Sequence, residues 1–147
     1  MENLLNTDEQ KINKMQFPDY FPKNCPPIDA KMIETTVYRL CESETLGLND
    51  FKSYYQLKPE RYKNIVQAYG LSIYLSYQDC KTAIRKSPQL RKKYKYCSYG
   101  PIYKWSGKIL HTPSKSHPAH YTWWLCTEVK PHTYFKVRGF GVGENDA

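Results

Sequence analysis

The residues best suited to chemistry lie in one stretch, HTPSKSHPAHYTWWL, which runs from His111 to Leu125. It holds three of the four histidines and two of the three tryptophans of the chain. Hydroxyl and amine groups crowd its first half, at Thr112, Ser114, Lys115 and Ser116. Such side chains, together with exposed backbone N–H groups, are suited to bind an anion. The alternative is a polar hairpin loop that water solvates, and the sequence leaves both open.

The spacing of the histidines does not predict a metal site. A zinc site needs three or four ligands that converge on one point. His111, His117 and His120 are separated by five and two residues, and Cys126 lies too far along the same strand from His120 to share an ion. We therefore predict no metal cofactor.

The two adjacent tryptophans fall on a predicted strand, so their side chains point to opposite faces. One is expected in the core. The other covers a helix, lines a cleft or stacks on a flat ligand, since aromatic rings bind bases and similar groups. We take Trp123 as the candidate ligand residue, with His111, Ser114 and Lys115 beside it.

Arg39 is the charged residue that most needs an explanation. It lies within TTVYRLC (35–41), a strand pattern whose alternation places it beside Val37 and Cys41. A charge among apolar neighbours needs a partner, which is either a structural ion pair or a bound anion. A second strand pattern, LSIYLS (71–76), carries Ser72, Tyr74 and Ser76 on its polar face.

The charge of the chain is unevenly divided. Residues 1–60 hold 7 basic and 10 acidic side chains, whereas residues 61–147 hold 15 and 4. A basic patch follows the second strand, made by Arg85, Lys86, Arg91, Lys92, Lys93 and Lys95. Such a surface either serves solubility or binds a phosphorylated small molecule, nucleic acid or an acidic protein. These alternatives stay open.

The remaining pattern predicts a single α+β domain over residues 17–147, preceded by a flexible tail over residues 1–16. A proline-rich arm (17–30) with Phe17, Tyr20 and Phe21 is expected to lie across the domain. Short helices are predicted over 50–57, over 59–69 with Gly70 as a left-handed cap, and from Ser76 to Pro88. A meander of antiparallel strands follows, with a hairpin turn at Ser106-Gly107.

Five cysteines without close spacing predict free thiols, and with them a reducing, cytoplasmic location. The first residues, MENLLNTDEQKINK, lack the apolar segment of a signal peptide, and no apolar run is long enough to span a membrane. The phosphate-binding, hydrolase-elbow and zinc-protease motifs are absent from the sequence.

Two pieces, VYRL (37–40) and YGLSIYLSYQDCKTAI (69–84), resemble the first two motifs of the ADP-ribosyltransferase-like fold. The resemblance implies helices packed on a split antiparallel sheet, and NAD as a substrate. It implies that Arg39 holds pyrophosphate or ribose. It also implies that Tyr74 or Tyr77 stacks on nicotinamide, that Ser72 or Ser76 supports it, and that Glu128 is the catalytic glutamate. Leu40 departs from the family's glycine, and Glu128 lacks a second acid two residues before it.

By this resemblance, the chain acts on or binds NAD or a related phosphorylated ligand, as a transferase or glycohydrolase in a toxin or defence role. The alternative is a non-enzymatic basic binding module for nucleic acid or for an acidic protein, of the inhibitor or immunity type.

Overall fold

The computed structural model describes residues 7–141. Six strands carry the fold: β1 (Thr35–Cys41), β2 (Leu71–Ile73), β3 (Tyr96–Ile102), β4 (Gly107–His111), β5 (Tyr121–Leu125) and β6 (Lys136–Gly139). They form two three-stranded antiparallel sheets, ordered β1-β3-β6 and β2-β5-β4. The predicted α+β class is therefore confirmed.

The helices are short, and the five α-helices of the described residues all precede β3. They are α1 (Asp8–Asn13), α2 (Tyr54–Leu57), α3 (Pro59–Tyr62), α4 (Tyr77–Lys86) and α5 (Pro88–Lys93), with 3₁₀ turns at Leu48–Phe51, Val66–Tyr69, Lys104–Ser106 and Pro131–Thr133. Within residues 7–141, no helix has the length and apolar character needed to cross a bilayer.

An isolated backbone pair, Tyr38 with Tyr74, joins the two sheets. The backbone N–H of Tyr38 in β1 donates to the carbonyl of Tyr74, just past β2, and the N–H of Tyr74 donates to the carbonyl of Tyr38, both at 2.8 Å. This pairing fixes the middle of β1 against the end of β2. It therefore determines where the side chains of both strands converge.

The main core lies between the sheets. Val37, Ile73 and Trp123 are fully buried there, as their alternation with polar neighbours requires. A second cluster forms around Trp124, whose indole N–H donates to the Val66 carbonyl at 3.1 Å. Phe17 and Phe21 of the proline-rich arm pack against it, so the predicted course of the arm across the domain is confirmed.

The helix predicted over 59–69 is wrong. It stops at Tyr62 and a 3₁₀ turn follows, because Tyr69 turns inward to stack on Tyr55 at 4.1 Å between ring centroids. Gly70 is extended rather than left-handed, with φ −106°. It lies so close to the backbone of Trp123 that a Cβ would come within 3.0 Å of that carbonyl oxygen. Gly70 therefore allows its backbone to approach that of Trp123 closely and does not cap a helix.

The predicted helix over 50–57 is split into a 3₁₀ turn and α2, because Ser53 caps α2 by accepting from the Gln56 N–H at 3.2 Å. The cap predicted at Ser76 is confirmed: its hydroxyl accepts from the Asp79 N–H at 3.0 Å. Residues 88–93, beyond the predicted end of this helix, form α5.

The predicted hairpin at Ser106-Gly107 and the meander are also wrong. β3 and β4 belong to different sheets, and the chain crosses between them through the 3₁₀ turn Lys104–Ser106. Gly107 permits the crossing because its φ is +136°, a conformation that other residues rarely adopt. The residue pair Ser106-Gly107 suits both a hairpin turn and such a crossing, so the sequence does not distinguish the two.

Residues 8–16 of the predicted tail form a helix and contacts with the rest of the fold. α1 lies on the surface with the Lys11 ammonium 4.5 Å from the Trp105 ring centroid, and the Gln16 carbonyl accepts from the Thr127 N–H at 2.9 Å. Residues 1–6 of the predicted tail and 142–147 of the predicted domain lie outside the described residues. All five cysteines are free and buried, which confirms the predicted free thiols.

Candidate functional site

A cavity of about 490 Å³ opens beside the junction of the two sheets. Its walls are β1, α2, β2, α5 and the loop after β4. The side chains that define its chemistry are Arg39, Lys52, Tyr54, Ser72, Tyr74, Lys93, Tyr94, Thr112, Ser114, His117 and His120. A volume of several hundred cubic ångströms is typical of sites for small ligands and cofactors.

Arg39 joins the walls of this cavity. Its Nε donates to the carbonyl of Asp50 and its Nη1 to the carbonyl of Ser72, each at 2.9 Å. Within residues 7–141 no carboxylate lies within ion-pair distance of it, so the structural ion pair considered above is not formed there. Burial lowers the pKa of Arg39, but a guanidinium stays charged at neutral pH. The cavity therefore has a fixed positive charge in its wall.

His120 forms the most connected polar contact of the cavity. Its Nε2 lies 2.8 Å from the Ser72 hydroxyl, and its Nδ1 lies 3.0 Å from the Thr112 carbonyl oxygen and 2.9 Å from the Thr112 hydroxyl. The Thr112 hydroxyl in turn lies 2.8 Å from that of Thr122 in β5. The imidazole is thus held at both nitrogens.

These contacts assign the tautomer of His120. A carbonyl oxygen only accepts hydrogen bonds, so the proton of the neutral ring is on Nδ1, and Nε2 accepts from the Ser72 hydroxyl. Burial, and then the nearby His117, Arg39 and His111, lower the pKa of His120, whereas its bond to Thr112 raises it. The net shift favours the neutral ring at pH 7.

Tyr74 lies edge-on to His120, with ring centroids 5.8 Å apart. Burial is the main reason that its pKa is raised, with Cys80, Tyr54 and Asp79 adding to the effect. Its hydroxyl therefore stays protonated and is able to donate a hydrogen bond to a ligand.

The charge of the lining is entirely basic among the residues that the structure describes. Arg39, Lys52 and Lys93 contribute cations, and no aspartate or glutamate lines the cavity. Tyr54, which is 52% exposed, stands at the opening. A lining with this composition favours an anionic ligand that also has a flat ring.

α5 supplies the outer basic wall. Ser87 caps it by accepting from the Leu90 N–H at 3.3 Å, and Lys93 of its last turn lines the cavity. The side chains of Arg91 and Lys95 instead donate hydrogen bonds to nearby backbone carbonyls. Arg91 Nη1 donates to the carbonyls of Ile84 and Arg85, and Lys95 Nζ donates to that of Arg91. Positive groups there offset the partial negative charge at helix C-termini.

The structure brings only some of the predicted site residues together. Those that line the cavity are Arg39, Ser72, Tyr74, Ser114 and Lys93. Arg85, Lys86, Arg91, Lys92 and Lys95 are exposed on the adjoining surface of α4 and α5. The cavity thus has the first two strands and the loop after His111 among its walls.

Other predicted site residues lie elsewhere. Trp123 is fully buried and stacks on Phe135, 6.1 Å between centroids, so it cannot stack on a ligand without unpacking the core. Glu128 follows the end of β5 remote from His120 and does not line the cavity. Ser76 is used as the cap of α4, and the Tyr77 hydroxyl donates to the Gly139 carbonyl at 3.0 Å.

His111 and Lys115 are also outside the lining. The Nε2 of His111 donates to the Pro118 carbonyl at 2.7 Å, and its ring packs on Tyr121. Lys115 is exposed at the tip of the loop. His111 therefore stabilises the loop and Lys115 is exposed on it, and neither lines the cavity.

Sequence reasoning missed the central role of His120. It considered this histidine only as a metal ligand, and within residues 7–141 no group of three potential ligands converges. Lys52 and Tyr54 were also missed as site residues, whereas Thr112, named above as a possible anion ligand, does line the cavity. His120 had one usable signal, since it directly precedes the strand that pairs with Ser72.

No family model matches this chain, and no curated protein or solved structure is significantly similar to it.

Proposed function

We propose that the cavity binds NAD or a closely related phosphorylated nucleotide, and that the protein is an ADP-ribosyltransferase-like transferase or glycohydrolase. One observation carries the proposal. The inter-sheet pair Tyr38–Tyr74 sets Arg39 of β1 beside Ser72 and Tyr74 of the second strand, in a cavity whose described lining is basic.

The proposed binding mode assigns the phosphates to the cations. Arg39, Lys52 and Lys93 would contact a pyrophosphate, because guanidinium and ammonium groups form charge-assisted hydrogen bonds with its oxygens. The flat rings would pack on Tyr54 or Tyr94, both in the lining. The Tyr74 hydroxyl would donate to a carbonyl or ribose oxygen.

Glu128 takes no part in this proposal, because it is not in the cavity lining. The described lining therefore contains no carboxylate that could stabilise an oxocarbenium-like centre. Nicotinamide release is accordingly the step that the experiment must measure separately from binding.

The experiment is calorimetry with NAD, followed by a nicotinamide-release assay on the same preparation. Arg39→Ala is expected to weaken NAD binding by at least tenfold, since a charged hydrogen bond contributes about 1.5–3 kcal/mol. Arg85→Ala is the matched control, because Arg85 is exposed and bonds only to Thr82 among the described side chains. Wild-type protein that neither binds NAD nor releases nicotinamide would refute the proposal.

A second candidate function follows from the exposed basic patch on α4 and α5. A nucleic acid or an acidic protein would bind there through Lys86, Lys92 and Lys93 without any reaction. Fluorescence anisotropy with a labelled single-stranded oligonucleotide at two salt concentrations tests it. Binding by phosphate contacts weakens steeply with salt, and Lys86→Glu/Lys92→Glu is expected to abolish it.

A further inference from the structure

We propose that Ser72 is a nucleophile and His120 its general base. The Ser72 hydroxyl attacks the phosphorus of a phosphoric ester or anhydride bound in the cavity, and His120 takes its proton. The inference shares with the proposed function only the premise that a phosphorylated ligand occupies this cavity. It adds a chemical step that does not require nicotinamide release.

The geometry meets the usual requirement for an activated hydroxyl. The base lies within hydrogen-bond distance of the nucleophile, and a third group orients the base. The Ser72 hydroxyl donates to His120 Nε2 at 2.8 Å, while Nδ1–H donates to the Thr112 carbonyl at 3.0 Å. Both side chains line the cavity.

Strand pairing alone does not account for this contact. β2 and β5 are already in register through Leu71 with Trp123 and Ser72 with Thr122. Ser53, Ser76 and Ser87, in contrast, are used as helix caps and accept from backbone N–H groups. Among the serines of the described residues, Ser72 is the one whose hydroxyl bonds to an imidazole in a cavity wall.

The surroundings select an electrophile that carries negative charge. Arg39 Nη1 donates to the backbone carbonyl of Ser72, so a guanidinium contacts the residue that carries the nucleophile. Lys52 and Lys93 are in the same lining. Cations near the phosphoryl oxygens stabilise the charge that a phosphoryl transfer develops.

The step balances within the cavity. The bond between Ser72 Oγ and phosphorus forms as the bond from phosphorus to the leaving oxygen breaks. The hydroxyl proton passes to His120 Nε2 and then to the leaving oxygen. Water next attacks phosphorus, gives its proton to His120, and the bond to Oγ breaks with return of a proton to Ser72.

The test is labelling by an alkyl fluorophosphonate at pH 7.5, followed by intact mass and peptide mapping. The bond from Ser72 to phosphorus would form as the phosphorus–fluorine bond breaks and fluoride leaves. Wild-type protein is expected to gain one adduct, on Ser72. Ser72→Ala is expected to gain none, and His120→Gln to react about 100-fold more slowly, the lower end for loss of a general base.

Ser76→Ala is the matched control, since Ser76 lies in the same polar pattern but outside the cavity, and it is expected to label like wild type. Thermal melting of every variant separates loss of reactivity from loss of folding. Inorganic pyrophosphate is expected to protect Ser72 from the probe. No adduct, an adduct elsewhere, or undiminished labelling of His120→Gln would overturn the pair, and failure of pyrophosphate to protect would overturn the substrate class.

NAD calorimetry on the same samples keeps the two proposals distinguishable. If NAD binds and Ser72 is not labelled, this inference fails and the proposed function stands. If Ser72 is labelled and protected while NAD does not bind, this inference stands and the proposed NAD-binding function fails.

Discussion

Arg39 donates a hydrogen bond from Nη1 to the backbone carbonyl of Ser72 at 2.9 Å, across the junction of the two sheets. Ser72 in turn bonds through its hydroxyl to His120. A partly buried cation, a hydroxyl and a neutral imidazole are thus connected in sequence along one wall. The same contacts hold the wall in place and define its chemistry, so variants at these positions need both a stability and a binding measurement.

Arg39→Ala is expected to destabilise the fold by about 3 kcal/mol, because two hydrogen bonds from a charged donor are lost and two partly buried carbonyls lose their partner. Urea denaturation followed by tryptophan fluorescence measures the change. Arg39→Lys retains the charge but not the two-pronged geometry, and an intermediate loss is expected. A change below about 0.5 kcal/mol for the alanine variant would contradict the role of Arg39 in holding the walls together.

The stability of the protein is expected to fall on acidification through the titration of His120. Its pKa in the fold is lowered from the ordinary 6.5, chiefly by burial. The unfolded chain therefore binds a proton that the native state resists. The contribution of neutral His120 to the free energy of unfolding is fully present above pH 6.5. It is lost as pH falls from 6.5 towards the pKa of His120 in the folded protein.

Proton NMR of the His120 ring and urea denaturation at several pH values test this linkage. His120→Gln is expected to flatten the pH dependence below 6.5. The ring faces His117, Arg39 and His111, which act on it electrostatically, and the edge of Tyr74. His111→Gln therefore serves as a control for one of the two other imidazoles at the loop. A His120 pKa above 6.5 would contradict the assigned neutral state.

The sequence was most informative where local and tertiary preferences agree. β1 coincides with the predicted residues 35–41, because alternation and β-branched content favour the same strand. Ser76 is a cap, as its spacing to Asp79 indicates. The helix predicted to end at Gly70 failed because packing of Tyr69 and the approach of β5 override local propensity. The cavity was predictable only in part, since it depends on one inter-sheet pair, Tyr38–Tyr74, that periodicity does not encode.

Tyr54 and Trp123 are expected to separate ligand binding from stability. Tyr54 is 52% exposed at the cavity opening, whereas Trp123 is fully buried. Tyr54→Ala should change the unfolding free energy by no more than about 0.5 kcal/mol while weakening binding of an aromatic phosphorylated ligand. Trp123→Ala should cost about 3–5 kcal/mol. Equal destabilisation by the two changes would contradict these placements.

Gly107→Ala is expected to be among the most destabilising single-methyl changes in the chain. The backbone has φ +136° there, and an added Cβ would collide with the carbonyl oxygen of Trp124. A loss of more than about 2 kcal/mol follows, from strain and steric overlap together. Gly139→Ala is the matched control, because its Cβ would meet Tyr96 at an ordinary 3.6 Å. Similar melting temperatures for the two variants would argue against the crossing between sheets at Gly107.

The cysteine thiols are expected to react slowly in the native protein. All five are buried, and burial raises the pKa of Cys25 and Cys41 to about 12 and that of Cys126 to about 11. Cys80 is fully buried with its sulfur 3.6 Å from that of Cys97. Because the thiolate is the reactive form, a disulfide reagent at pH 8 should modify few thiols in the native state and all five in denaturant. Rapid modification of any one thiol without denaturant would show that the region around it opens readily.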